Sequence, residues 1–180
     1  MNKQQITDKL TDNHRAFADY IFSLSEKDFL VSHNNKWTAG QQFEHILRAV
    51  SPLKTVLTLP KIIPRLLFGK SNRKSLDFES LVKSYQGKLA GGSKATKQFI
   101  PPAIIFEKRR NLGNNLLKTV GNLSNKIKRF SEIELDDYLL PHPILGKLTI
   151  REMLYFTIYH VEHHHNAVLD SFKEDKETKV

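Results

Sequence analysis

Four segments of the chain carry apolar residues at helical spacing, and this pattern constrains the fold more than any other feature of the sequence. The apolar positions recur every three or four residues, as one buried face of an α-helix requires. These stripes run through residues 6–24, 43–53, 112–130 and 150–172. No segment alternates apolar and polar residues between turn signals, so the sequence predicts no sheet of consequence.

Two of the predicted helices have well-formed start signals. Thr38 is followed three residues later by Gln41, and Thr149 by Glu152. Both pairs have the form of a capping box, in which the two residues satisfy each other's backbone N–H groups. The third helix is predicted from about Glu107 to Phe130, although Gly113 and Gly121 lower its intrinsic helix propensity. Four amphipathic helices of this length predict an all-α protein, specifically a four-helix bundle.

A long segment separates the second and third predicted helices. Residues 58–106 are too many for an ordinary bundle loop and contain several prolines and a Gly-Gly pair. Short helices are predicted near 61–68 and 78–89, within an irregular insertion that would serve as a lid or an interface. The sequence shows no second core, so a single domain over 1–180 is expected.

Composition excludes several kinds of site. The chain has no cysteine, so disulfides, thiolate metal ligands and a cysteine nucleophile are excluded. Any metal must therefore bind to His, Asp or Glu. The first ten residues lack the apolar core of a signal peptide, and no apolar stretch is long enough to span a membrane. These features predict a cytoplasmic protein without a membrane partner.

The positive charge is concentrated in the middle of the chain. The formal net charge is +9, and residues 54–129 hold 17 Lys and Arg against three Asp and Glu. Such a segment suits either a surface that faces phosphates or a solvated basic face. It lacks the interleaved aromatic residues of a single-strand binder, and no cysteine-based zinc finger can form. The solvated face is favoured, and nucleic acid is not the expected partner.

Four of the eight histidines lie between positions 160 and 165. His160 and His164 are four residues apart, so they project from the same side of a helix and can share one metal ion. The motif is not the H-E-x-x-H of zinc proteases, because Glu162 points to the other side of the helix. A zinc-protease site is therefore rejected.

Spacing leaves the third ligand undecided. Two imidazoles leave an ion under-coordinated, so a further ligand is expected from another helix. His45 lies in the second helix, off its apolar stripe and beside Gln42. His14 competes with it, since it occupies an apolar position of the first helix. His14 would act either as an outer partner of the site or as a buried histidine with a hydrogen bond.

Two stretches resemble the motifs of the DinB/YfiT-like family. The stretch KWTAGQQFEHILRAV, at 36–50, resembles the second-helix motif, with a Trp and a polar helix start before a metal-binding histidine. The stretch HPILGKLTIREMLYFTIYHVEHHHNAV, at 142–168, resembles the closing motif. The order and lengths of the helices also fit, so the resemblance covers most of the chain.

The resemblance implies a four-helix bundle that holds one divalent ion on His45, His160 and His164. This choice favours His45 over His14, and it gives His142, in the turn before the fourth helix, a loop-fixing hydrogen bond rather than a place among the ligands. Three neutral ligands would leave open positions on the ion for water or substrate. Zn or Ni is the favoured metal, and Fe, Mn and Co are compatible with three imidazoles.

Similar proteins of this family include transferases that join bacillithiol, mycothiol or glutathione to electrophiles. The resemblance therefore favours a metal-dependent thiol transferase, whose partners are a small-molecule substrate and a low-molecular-weight thiol. A metal-dependent hydrolase and a non-catalytic metal-binding or stress-response module are the alternatives. Family habit also suggests a homodimer, through helix faces or through residues 58–106.

Overall fold

Helices make up most of the computed structural model, which describes residues 1–32 and 36–177, with side chains given as far as residue 173. The elements are α1 (Lys3–Ser23), α2 (Glu26–Leu30), α3 (Ala39–Val56), α4 (Ile62–Phe68), α5 (Phe78–Ala90), α6 (Arg109–Ile127), α7 (Glu132–Asp137), β1 (Leu139–His142), β2 (Gly146–Thr149) and α8 (Ile150–Glu177). Single 3-10 turns lie at Lys97–Phe99 and Phe106–Lys108. The prediction of a mainly helical protein is confirmed.

The four long helices pack around one apolar core. Helices α1 and α3 each pack against both α6 and α8. Phe17, Phe43, Leu116 and Leu154 are fully buried, and they come from the four helices in turn. Burial of these apolar stripes is the main stabilising contribution to the fold. The same packing brings one face of α3 alongside one face of α8.

Both predicted capping boxes are present. Gln41 N donates to Thr38 Oγ1 over 3.2 Å, and Thr38 N donates to Gln41 Oε1 over 3.0 Å. At the start of α8, Thr149 N donates to Glu152 Oε2 over 2.8 Å, and Glu152 N donates to Thr149 Oγ1 over 3.2 Å. These contacts fix where α3 and α8 begin, and thereby which side chains each helix turns inward.

A small hairpin precedes α8, although the sequence pattern predicted no sheet of consequence. Strands β1 and β2 pair antiparallel, with Leu139 opposite Thr149 and His142 opposite Gly146. Gly146 adopts a φ of 76°, which a side chain would disfavour. Each strand has only four residues, so alternation was too short to be recognised in the sequence.

Helix α6 is shorter than predicted, because residues Phe106–Lys108 form a 3-10 turn and the α-helix ends at Ile127. Gly113 in this helix has a packing role that propensity alone did not suggest. A Cβ atom at Gly113 would collide with the ring of Phe22. The glycine therefore permits the close approach of α1 and α6.

The predicted insertion contains α4 and α5, close to the short helices expected at 61–68 and 78–89. Helix α5 packs on α8, and α4 contacts β1. Helix α4 exposes Leu66 and Leu67, at 76% and 66% of their surfaces. The homodimer suggested for this segment stays a prediction. Within the described ranges, no helix is long and apolar enough to cross a membrane.

Candidate metal centre

Three buried histidines from two helices converge at one point. His45 comes from α3, and His160 and His164 come from α8, each with at most 8% of its surface exposed. The structure thus brings together the three residues that the resemblance selected, each with one ring nitrogen within 4.8 Å of the others. A group of this kind could hold a metal ion.

The hydrogen bonds of two rings define where their protons lie. His45 Nδ1 donates to the backbone carbonyl of Phe99 over 2.7 Å. His164 Nδ1 donates to Gln42 Oε1. Both partners can only accept, so in each neutral ring the proton lies on Nδ1 and Nε2 carries a lone pair. These lone pairs point toward the third histidine.

The three Nε2 atoms lie closer together than neutral imidazoles alone can satisfy. His160 Nε2 is 3.2 Å from His45 Nε2 and 3.0 Å from His164 Nε2. A proton on His160 Nε2 could serve one of these contacts but not both. In at least one of the two contacts, therefore, two lone pairs face each other without a proton between them. A cation at the centre would stabilise this arrangement.

The observed separations fit one shared metal ion. Two nitrogens that each lie about 2.0–2.1 Å from an ion, at angles of about 90–110°, are about 2.9–3.4 Å apart. The two measured contacts of His160 Nε2 fall in this interval. Borderline divalent ions such as Zn²⁺ accept a set of neutral imidazoles. The residues present therefore fit the ion that the resemblance implies.

Burial keeps the three rings neutral. It lowers the pKa of His160 and His164 well below the usual value, and the neighbouring imidazoles lower both further. The pKa of His45 is also lowered by burial, against a smaller opposing effect of its bond to Phe99. Neutral rings keep their Nε2 lone pairs, which is the form that binds a metal.

Neighbouring aromatic rings hold the imidazoles in place. Trp37 stacks on His164, with ring centroids 6.3 Å apart and planes inclined by 16°. Phe156 stacks on His160 at 4.7 Å. Together with Gln42 and the Phe99 carbonyl, these rings fix the orientation of the donor atoms, as the outer partners of metal ligands commonly do.

Sequence reasoning missed most of these supporting residues. The role of Gln42 could have been predicted from the sequence, because Gln42 lies three residues before His45 and therefore on the same side of α3. The role of the Phe99 carbonyl could not, since residue type does not indicate where a backbone oxygen of a distant loop will lie. It belongs to the 58–106 insertion, which therefore contributes to the site directly.

The chain matches one family model over nearly its whole length. Residues 3–171 match the model of a family described as a protein of unknown function, DUF1569. The chain belongs to the DUF1569 family. The match runs from the start of α1 nearly to the end of α8 and includes all three converging histidines. No curated protein gives a match.

In this DUF1569 protein the three histidines open onto a cavity of about 740 Å³. This volume is in the usual range for sites that bind small molecules. In the part of the chain that the structure describes, the cavity wall contains no Asp or Glu. Glu44, next to His45 in sequence, turns away and pairs with Arg48 over 2.7 Å.

The other histidines that the structure describes lie outside the converging group. His142 Nδ1 accepts hydrogen bonds from Ile144 N and Leu145 N, over 3.2 and 3.0 Å, which confirms its predicted role in fixing the loop. His165 packs between Phe17 and Tyr20. His163 lies at the cavity wall but does not join the ligand group.

His14 is a buried histidine with one hydrogen bond. Its Nδ1 donates to the carbonyl of Leu10 over 2.7 Å, and burial lowers its pKa to about 4. Among the described residues its Nε2 has no partner. A cavity of about 10 Å³, the size of one water molecule, lies between His14 and His160. Of the two roles predicted for His14, the buried and hydrogen-bonded one is therefore present.

Proposed function

We propose that the chain is a DinB/YfiT-like four-helix bundle that binds one divalent ion through His45, His160 and His164. The observation that carries this proposal is the convergence of three buried Nε2 atoms, two of which bear lone pairs that a single proton on the third cannot both satisfy. Zn or Ni is favoured, and Fe, Mn and Co are compatible with the ligand set. The helix packing of α1, α3, α6 and α8 supports the bundle.

The centre is proposed to act as a metal-dependent thiol transferase. A bound divalent ion would lower the pKa of a low-molecular-weight thiol and present its thiolate to an electrophile. The chain supplies the oriented imidazoles and a mostly apolar cavity. It need not supply sulfur, which agrees with the absence of cysteine.

Two alternatives receive less support. A hydrolase would benefit from a carboxylate that takes a proton from water, and none lines the described cavity wall. A purely structural metal site is normally closed by four protein ligands, whereas this group has three and faces a cavity of about 740 Å³. Thiol transfer to a small molecule would use the open coordination position left by three ligands and the cavity that the ligands face.

Metal analysis of the purified protein tests the site first. We expect about one divalent ion per chain in the unaltered protein and almost none in His160→Ala, because two imidazoles cannot hold the ion against competing chelators. His165→Gln is the matched control on the same helix and should retain the ion. An unchanged metal content in His160→Ala would show that the ion binds elsewhere.

A conjugation assay then tests the reaction. Metal-loaded protein is mixed with bacillithiol, mycothiol or glutathione and with a panel of electrophiles, and thioether formation is followed by mass spectrometry. We expect conjugation with at least one thiol and its loss in His160→Ala. Hydrolysis of ester or amide substrates without any conjugation would replace the transferase proposal by the hydrolase.

A further inference from the structure

The cavity beside the histidines is elongated and has two different ends. On α3 the lining residues run from Gln42 past His45 to Val56, and the stretch from His45 to Val56 spans about 16 Å at the helical rise per residue. On α8 they run from Ala167 past His160 to Met153, and the stretch from His160 to Met153 spans about 10 Å. The histidines therefore lie nearer one end of the cavity, which continues past them toward Val56 and Met153.

The end far from the three converging histidines is mostly apolar, although His142 of the hairpin also lines the cavity. Its walls come from α3, α4, the hairpin and α8, and the residues concerned are Leu53, Val56, Phe68, Leu140, Ile144 and Met153. Phe68 ends α4, so the insertion closes this end of the cavity. A compartment of this composition favours hydrocarbon over any polar group, because polar groups would lose their hydrogen bonds to water there.

The end near the histidines carries a positive charge. Lys94 lines the cavity there, and the described cavity wall has no acidic residue. Lys94 precedes the turn that places Phe99 on His45. This lysine thus belongs to a segment that contacts the histidines, and its charge complements an anion.

We propose that this cavity binds an amphipathic anion, a hydrocarbon chain that carries a carboxylate, with the carboxylate at the histidine end and the chain extending toward Phe68. The shape and charge of the cavity support this without reference to catalysis. The inference rests on the proposed function only in making an α,β-unsaturated carboxylate of this kind the electrophilic partner of the thiol. The thiolate sulfur would bond to the β-carbon as the C=C π bond breaks, and the proton given up by the thiol would end on the α-carbon, so no group leaves. The reacting carbons then lie near the head group, where the histidines are.

Chain length gives the sharpest test. Trp37 is the one tryptophan of the sequence and lines the cavity, so its fluorescence reports binding. Butanoate, octanoate and dodecanoate are titrated below their aggregation concentrations, with dodecyltrimethylammonium as the cationic counterpart. We expect affinity to rise about two- to fourfold per added methylene. The cation should bind at least tenfold more weakly than dodecanoate.

Two variants locate the ends of the ligand. Lys94→Ala should weaken dodecanoate binding about three- to tenfold, whereas Lys88→Ala, an exposed lysine outside the cavity, should leave it unchanged. Val56→Phe should shorten the apolar compartment, so that dodecanoate binds more weakly while butanoate is unaffected. Should Val56→Phe fail to fold, the chain-length series and the lysine pair still decide the matter.

The outcomes separate this inference from the proposed function. Equal affinity for butanoate and dodecanoate, or for the anion and the cation, would overturn the inference even in a protein that conjugates thiols. The series is repeated on metal-free protein. If affinity depends strongly on chain length in the metal-free protein, the amphipathic ligand is upheld. If the same protein binds no metal or conjugates no thiol in the other assays, the transferase proposal is rejected while the ligand proposal stands.

Discussion

Helix α8 carries two buried polar clusters that are built in opposite ways. At its start, the fully buried carboxylate of Glu152 accepts hydrogen bonds from Thr149 N at 2.8 Å, Leu76 N at 2.7 Å and Arg73 Nη2 at 2.9 Å. Two turns further on, His160 and His164 meet His45 with like groups facing one another. Donors meet acceptors in the first cluster, and lone pairs meet lone pairs in the second.

The difference separates a structural cluster from a binding one. A buried polar group is costly unless its hydrogen bonds are satisfied. The Glu152 cluster meets this condition with groups of the chain itself and ties residues 73–76 to the start of α8. The described residues do not supply such partners for the histidine cluster, and a cation at its centre would supply the missing one. We therefore expect changes in the first cluster to alter stability and changes in the second to alter metal binding.

The largest effect on stability is expected from Glu152→Ala. The change leaves the buried Thr149 N–H without an acceptor and removes the partner of Arg73. We expect the free energy of unfolding to fall by about 2–4 kcal/mol, measured by urea denaturation of metal-free protein. The metal content of the folded variant should be unchanged.

A matched carboxylate on the same helix provides the control. Glu162 is half-buried and accepts a hydrogen bond from Asn13 Nδ2 at 2.6 Å. Glu162→Ala should cost about 1 kcal/mol. Equal losses in the two variants, or loss of metal in Glu152→Ala alone, would contradict the division between the clusters.

His14 offers an intermediate case, because it is buried with one satisfied nitrogen and is separated from the nearby His160 by a cavity of about 10 Å³. Its pKa is about 4 in the folded protein, against an ordinary value near 6.5. Above pH 6.5 the ring is neutral in both states, and the group's contribution to stability is constant. Between pH 6.5 and 4 only the unfolded chain gains the proton, so stability is lost as the pH falls.

The loss attributable to His14 should be about 1.4 kcal/mol per pH unit and about 3 kcal/mol in total by pH 4. Urea denaturation of metal-free protein between pH 7 and 4 measures it. His14→Leu should show a correspondingly shallower pH dependence, because it removes one buried group that cannot be protonated in the fold. Identical slopes for the two proteins would mean that His14 is protonated in the folded state.

The sequence predicted residues whose roles depend on local spacing. The capping pairs at Thr38 and Thr149 were recognised because both partners lie within one turn of helix. His160 and His164 were paired for the same reason. Partners that fold together from distant segments were not predicted. Arg73 meets Glu152 across 79 positions, and the Phe99 carbonyl meets His45 across 54.

The choice of His45 as the third member lies between these cases. Spacing within α3 placed it beside Gln42 but could not say which helix faces α8, so His14 remained open until the family motif was considered. The packing of α3 on α8 decides the geometry, and this depends on the whole core. The hairpin at 139–149 escaped prediction because its four-residue strands carry too little alternation.

Gln42 allows the smallest and most specific change in the histidine cluster. Its side-chain oxygen accepts the Nδ1 proton of His164 and so keeps the lone pair on Nε2. In Gln42→Leu this acceptor is lost, and the proton can move to Nε2, where it blocks metal binding. We expect metal affinity to fall about 10–100-fold, measured by competition with a chromophoric chelator.

Gln42→Glu keeps an acceptor at the same place and is the matched control. Its carboxylate should hold the His164 proton at least as firmly, so metal affinity should equal or exceed that of the unaltered protein. A role in packing alone predicts the reverse order, because leucine suits a buried position better than a carboxylate does. If Gln42→Leu binds metal as tightly as Gln42→Glu, the His164 proton is not held by residue 42, and the lone-pair argument for the centre loses one of its two supports.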